Sequence, residues 1–100
     1  MDTLKATLIK TMQGYSGRGL NGYSYFASND DENVYTVTSI GKVGEKRIVN
    51  TSLLVRLDGA KIIVEEDINN KPLVDALVQN GIPREQIILA YAGEAIPEAG

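Results

Sequence analysis

The sequence predicts an α+β domain of two layers, ordered α-β-β-β-β-α-β, with a mostly antiparallel sheet and the helices on one face. Three observations carry this. Residues 23–66 hold four runs with the two-residue period and β-branched content of strands, separated by turn residues. Segments 3–13 and 72–79 space their apolar residues as helices do. The chain has 100 residues, 43% hydrophobic and 23% charged, which fits a single domain over 1–100 with residues 92–100 as a loose tail.

Each element follows from its residues. In 3–13, Leu4, Leu8, Ile9 and Met12 fall on one stripe. Asp2 or Thr3 can cap its start, and Gly14 can end it by taking a left-handed conformation. Residues 14–22 contain Gly14, Gly17, Gly19 and Gly22 and read as a flexible connection. Tyr23 to Ser28 is the first strand, with Tyr23, Tyr25 and Ala27 on one face. Asn29–Asn33 is a polar turn, Val34–Ile40 the second strand, and Gly41–Lys46 the next turn. Arg47–Leu57 is a long third strand whose core face is read as Val49, Thr51, Leu53, Val55 and Leu57. Asp58-Gly59 marks a tight turn into Lys61–Glu66. Pro72 opens the second helix, where its missing N–H costs nothing. Leu73, Val74, Leu77 and Val78 form that helix's apolar stripe. Asn80-Gly81 and Pro83 close it, Arg84–Gln86 is a short turn, and Ile87–Tyr91 is a last, buried strand.

Composition excludes several chemistries. There is no cysteine and no histidine, so disulfides, thiolate nucleophiles, and the commonest general base and metal ligand are absent. No apolar run approaches the roughly 18–20 residues of a membrane span. The opening residues lack the basic-then-apolar pattern of a signal peptide, so a cytoplasmic location without membrane contact is expected. Ten Lys and Arg stand against thirteen Asp and Glu, for a net charge of −3. The basic residues are scattered in sequence, with one cluster at Lys42, Lys46 and Arg47. Tight binding of DNA by the chain alone is therefore not expected, and a protein partner fits the charge better.

The motifs that could carry chemistry fail on context. Gly17-Arg18-Gly19-Leu20-Asn21-Gly22 matches G-x-G-x-x-G by letter, but a helix precedes it and a strand follows, the reverse of a dinucleotide site. Asp30-Asp31-Glu32 lacks the glycine and spaced ligands of a calcium loop. Glu65-Glu66-Asp67 ends a strand, where Asp67, Asn69 or Asn70 can cap the next helix. Asp58, Lys61 and Glu65 lack the spacing of a nuclease metal site. Tyr23, Tyr25, Phe26, Tyr35 and Tyr91 hold the aromatic surface. Without basic neighbours in sequence, core packing or a protein interface is expected of them rather than base stacking. No catalytic, cofactor-binding or metal-ligating residue is assigned.

The stretch Leu57-Asp58-Gly59-Ala60-Lys61-Ile62-Ile63-Val64-Glu65-Glu66-Asp67, then Leu73–Val78 and Gly81-Ile82-Pro83-Arg84-Glu85-Gln86-Ile87-Ile88-Leu89-Ala90-Tyr91, resembles the XisI-like family. Members of that family are controlling factors of fdxN element excision in cyanobacteria. The last segment is the most specific, and the match covers about a third of the chain closely. The chain departs from the family pattern in having no tryptophan and in lacking the aromatic-rich tail after Tyr91.

The resemblance implies a non-catalytic accessory protein that acts through an XisH-like, endonuclease-type companion in programmed excision of a DNA element. A homodimer is a further expectation. Arg47, Arg56 and Glu66, near strand ends, and Tyr91 are the candidate partner contacts. Two other classes fit the residues. One is a small-ligand-binding domain, with the 14–22 loop closing over a cavity near Tyr23 and Tyr25. The other is a structural homo-oligomer or antitoxin-like neutraliser.

Overall fold

The computed structural model describes residues 3–19 and 22–96. Its elements are α1 (Thr3–Gln13), β1 (Gly17–Arg18), β2 (Gly22–Asn29), β3 (Val34–Val43), β4 (Lys46–Asp58), β5 (Lys61–Asp67), α2 (Leu73–Gln79) and β6 (Ile87–Leu89). The strands form one sheet in chain order, antiparallel from β1 to β5 and parallel between β5 and β6. The predicted order holds, with one addition. The glycine-rich connection contains a two-residue strand, β1, because its backbone pairs with Tyr23 and Ser24. Asp2, Leu20, Asn21 and the last four residues of the expected tail lie outside the described residues.

The hairpins are longer than the sequence suggests. The β3–β4 and β4–β5 loops shrink to two residues each, beginning at Gly44 (φ 65°) and Gly59 (φ 61°). A positive φ at that position lets a two-residue loop follow the strand twist, and glycine adopts it without strain. Asn29 Oδ1 accepts the Glu32 N–H at 3.1 Å and rounds the β2–β3 turn.

The core lies between one face of the sheet and the two helices. Leu8 and Met12 of α1 and Leu73 and Leu77 of α2 are fully buried against Tyr35, Val37, Leu53, Val55, Ile62 and Val64. Burying each such side chain contributes roughly 1.5–3 kcal/mol over leaving it exposed. That docking holds two helices too short to persist alone. Of the second helix's predicted stripe, Val74 packs at the core margin and Val78 is exposed. Asp67 does the capping: its Oδ2 accepts the Leu73 N–H at 2.7 Å, and its Oδ1 accepts the Asn69 N–H at 3.0 Å.

The predicted core face of β4 is corrected in its first half. Leu53 and Val55 are buried, but Val49 is 56% exposed and Thr51 is exposed as well. Register explains the change. Val37 pairs with Leu53 while Thr38 pairs with Thr51, leaving Ser52 as an extra residue in β4. Such a bulge moves every residue before it to the opposite face. Ser52 is pinned on several sides. Its hydroxyl donates to the Val37 carbonyl at 3.2 Å, and its own carbonyl accepts from the Ile68 N–H at 3.1 Å. A second irregularity, at Glu65, shifts the β4–β5 register in the same way.

Past Ser52 no residue of β3 or β4 is buried. The sheet continues there as an arm of β1, β2, β3 and β4, and the molecule measures 46 × 27 × 26 Å. A close contact locks the first residue of β2 to β3 near the arm's tip. Gly22 pairs with Gly41, and a side chain at Gly22 would clash with the Ile40 carbonyl oxygen.

At the other end, β6 stops at Leu89 rather than Tyr91. Ala90–Ala92 form a 3-10 turn ended by Gly93 at φ 90°. Glu94 then folds back: its carboxylate accepts the Leu89 N–H and the Arg84 guanidinium, both at 2.8 Å.

Candidate functional site

The arm gathers residues that the sequence scatters. Arg18 pairs with Tyr23, Tyr23 with Ile40, and Ile40 with Val49, so these four form one row across the arm. Tyr25, Thr38 and Thr51 form the next row, and Lys42 with Arg47 the row on the other side. By strand alternation all nine share the face turned away from the helices. Tyr23 is 43% and Tyr25 53% exposed, with ring centroids 4.7 Å apart and planes tilted by 43°. The expectation that these tyrosines lack basic neighbours is therefore corrected. Arg18 comes beside Tyr23 through a strand that sequence periodicity does not reveal, and β-pairing brings Lys42 and Arg47 one row away.

The arm also concentrates charge. Residues 17–25 and 38–51 contain Arg18, Lys42, Lys46 and Arg47 against the single carboxylate Glu45, while the rest of the chain holds six cations and twelve carboxylates. In the body most cations are engaged. Arg56 bonds Glu65 and Arg84 bonds Glu94, each at 2.8 Å, and Lys5 meets Asp30 at 3.2 Å. Lys61 donates to the Glu85 carbonyl and Lys71 to the Gln79 side chain. Asp30 in turn holds the Lys5 ammonium's pKa above the usual lysine value. None of the four arm cations has an ion pair or side-chain hydrogen bond among the described residues.

The other side of the arm bears a serine ladder. Ser24 and Ser39 share a hydrogen bond of 2.8 Å, and Ser39 reaches Ser52 at 3.4 Å. Beyond the ladder lies an open groove of about 260 Å³ bounded by Gly22, Gly41, Val43, Ile48 and Asn50. It lies near the place expected for a ligand cavity, by Tyr23 and the glycine-rich segment. Gly19 donates its N–H to the Gly22 carbonyl at 2.8 Å, so that segment closes a strand pair there.

Of the four predicted contact residues, Arg56 and Glu66 are neighbours, with Glu65 bonding Arg56 and Glu66 facing Leu54, while Arg47 stands apart from them. Arg47 is exposed at the arm tip, and Arg56 lies nine residues along the same strand, about 30 Å away at roughly 3.3 Å per residue. Glu66 pairs with Leu54 where the arm joins the body. Tyr91 stands on the 3-10 turn after β6, half-exposed. Burial, then the negative field of Asp67 and Asp75, raises the Tyr91 hydroxyl's pKa, and the same causes raise that of Tyr15, which donates to the Lys71 carbonyl at 2.8 Å. The Glu94 carboxyl is held below the usual glutamate value, first by the Leu89 N–H and then by Arg84. Among the described residues no cluster of three or more Asp or Glu converges as metal ligands. No helix among them is long and apolar enough to cross a membrane.

The fold is shared with known proteins. A XisI-like protein from Anabaena variabilis ATCC 29413 superimposes with a TM-score of 0.65 at 21% identity, over 86% of this chain and 78% of that one. The fdxN element excision controlling factor XisI from the same organism gives a TM-score of 0.65 at 24% identity, over 87% of this chain and 88% of that one. No curated protein matches significantly. The family model for XisI protein matches residues 3–98. With that match running through both helices and all six strands of the described residues, the chain belongs to the XisI family.

Proposed function

We propose that the chain is an excision-controlling factor of XisI type. It acts without catalysis of its own, by binding an XisH-like, endonuclease-type companion while a DNA element is excised. The observation that carries this reading is the family match over residues 3–98. The similarity to a solved fdxN element excision controlling factor supports it. The body is the companion-binding half in this reading. It presents Glu66 and Tyr91 at its surface, Tyr91 within the field of the Arg84–Glu94 clamp.

The test is co-expression of the tagged chain with the XisH-like protein from the same genome, followed by size-exclusion chromatography. The expected result is a stoichiometric complex, weakened by Tyr91→Ala or by Glu66→Arg. A companion that elutes separately at tens of micromolar would overturn the reading.

A further inference from the structure

The outer face of the arm carries an aromatic pair flanked by unengaged cations. Burying the helix-facing side of the sheet does not require this. Solvent-exposed tyrosines one row apart, at 43% and 53% exposure, add nothing to the core. Each keeps about half of its surface open to solvent, and stacking of bases on aromatic rings tolerates sequence because every nucleobase has a π-face. Arg18, Lys42 and Arg47 lie on the same face, within one row of Tyr23. Each is exposed and makes no ion pair among the described residues. A carboxylate bounds the surface on the body side: Glu66, across from Leu54. The overall charge of −3 conceals this surface, because the carboxylates lie almost wholly in the body. What matters to a polyanion is the local field within about a Debye length, roughly 8 Å at physiological salt.

We propose that the outer face of the arm binds single-stranded nucleic acid, with two bases stacked on Tyr23 and Tyr25 and backbone phosphates held by Arg18, Lys42 and Arg47. The occupant is chosen by complementarity on two counts. Cations without partners call for an anion, and a tilted aromatic pair calls for flat apolar groups spaced along that anion. A single strand supplies both, whereas a duplex keeps its bases stacked inside. The site is independent of any companion protein, since all five side chains belong to one chain.

The test is fluorescence anisotropy of labelled 12-nucleotide single strands, DNA and RNA, titrated with the intact chain at 25 to 200 mM salt, beside a duplex of the same sequence. Binding to single strands in preference to duplex is expected. The log–log salt slope should be near −2, from roughly 0.7 per phosphate contact for three contacts. Tyr23→Ala and Tyr25→Ala should each weaken binding by about 5- to 150-fold, while Tyr25→Phe should keep most of it. Arg47→Ala should flatten the salt slope by about 0.7, and Glu66→Gln should tighten binding. All these side chains are exposed, and a circular dichroism melt of each variant checks that it folds.

Three outcomes overturn the proposal. One is no binding at 25 mM salt with several hundred micromolar chain. Another is duplex bound as well as single strands, with no loss on removing either tyrosine. The third is sedimentation showing head-to-tail self-association that disappears in Arg47→Ala, with no oligonucleotide bound. That result would mean the acidic body of a second copy covers this face.

Discussion

The two halves of β3 and β4 have the same kind of sequence and opposite fates. On the body side of Ser52, Tyr35, Val37, Leu53 and Val55 lie under two helices and are fully buried. On the arm side, Ile40, Val49 and Thr51 continue the same strands with both faces open. Pairing is continuous across the boundary apart from one extra residue. The difference lies in what covers the sheet, and it shows that strand alternation reports a pleat rather than burial. Where no helix follows, the same periodicity presents side chains to a partner.

Substitutions can break this contrast. Leu53→Ala or Leu77→Ala removes a fully buried side chain and should cost about 2–5 kcal/mol in urea unfolding. Val49→Ala, four residues before Leu53, should cost no more than about 0.5 kcal/mol. Equal losses would erase the distinction between body and arm. Gly22→Ala places a methyl group against the Ile40 carbonyl, and overpacking of that kind costs about 1–3 kcal/mol. Its effect should be confined to the arm, read as chemical-shift changes in β2 and β3 that leave α2 untouched. Asp67→Ala removes the helix cap at Leu73 and should cost about 1–2 kcal/mol, loosening the loop that pins Ser52.

Smaller effects sharpen the contrast at the C-terminal end. The folded Glu94 carboxyl titrates below the usual glutamate value. Its clamp is therefore complete above that usual value and is lost as the pH falls through the lower, folded one. A side-chain NMR titration should show Glu94 titrating below the same residue in the unfolded chain, with Leu89 and Arg84 signals moving in step. A small change is also expected of Tyr35→Phe. The Tyr35 hydroxyl is buried beside the Lys5 ammonium, so its removal should cost no more than about 1 kcal/mol.

Much of the fold is legible in the residues. Period-two runs, Asp58-Gly59, Pro72 and Asn80-Gly81 mark the main elements in the right order. Asp67 is visible as a candidate cap, and the segment Gly81–Tyr91 carries the family resemblance. What escapes is long-range. The Ser52 bulge is hidden because Val49, Thr51, Leu53 and Val55 alternate smoothly across it, and only pairing with β3 reveals the extra residue. Gly17-Arg18 has no strand propensity and becomes a strand only beside Tyr23 and Ser24. The basic and aromatic cluster escapes for the same reason, since its members are assembled by β-pairing. Arg56, expected to contact a partner, is already engaged by Glu65.

Native-state hydrogen exchange under low urea tests the division of the molecule most directly, because it reads each amide's opening free energy separately. Val55 and Ile63, on strands flanked by paired neighbours in the body, should exchange only through global unfolding, with the full urea dependence. Ile40 and Gly41, central in the arm, should exchange through a local opening of lower free energy and weaker urea dependence. A single opening free energy shared by Ile40 and Val55 would contradict the division. The arm would then open only together with the core, as one cooperative unit.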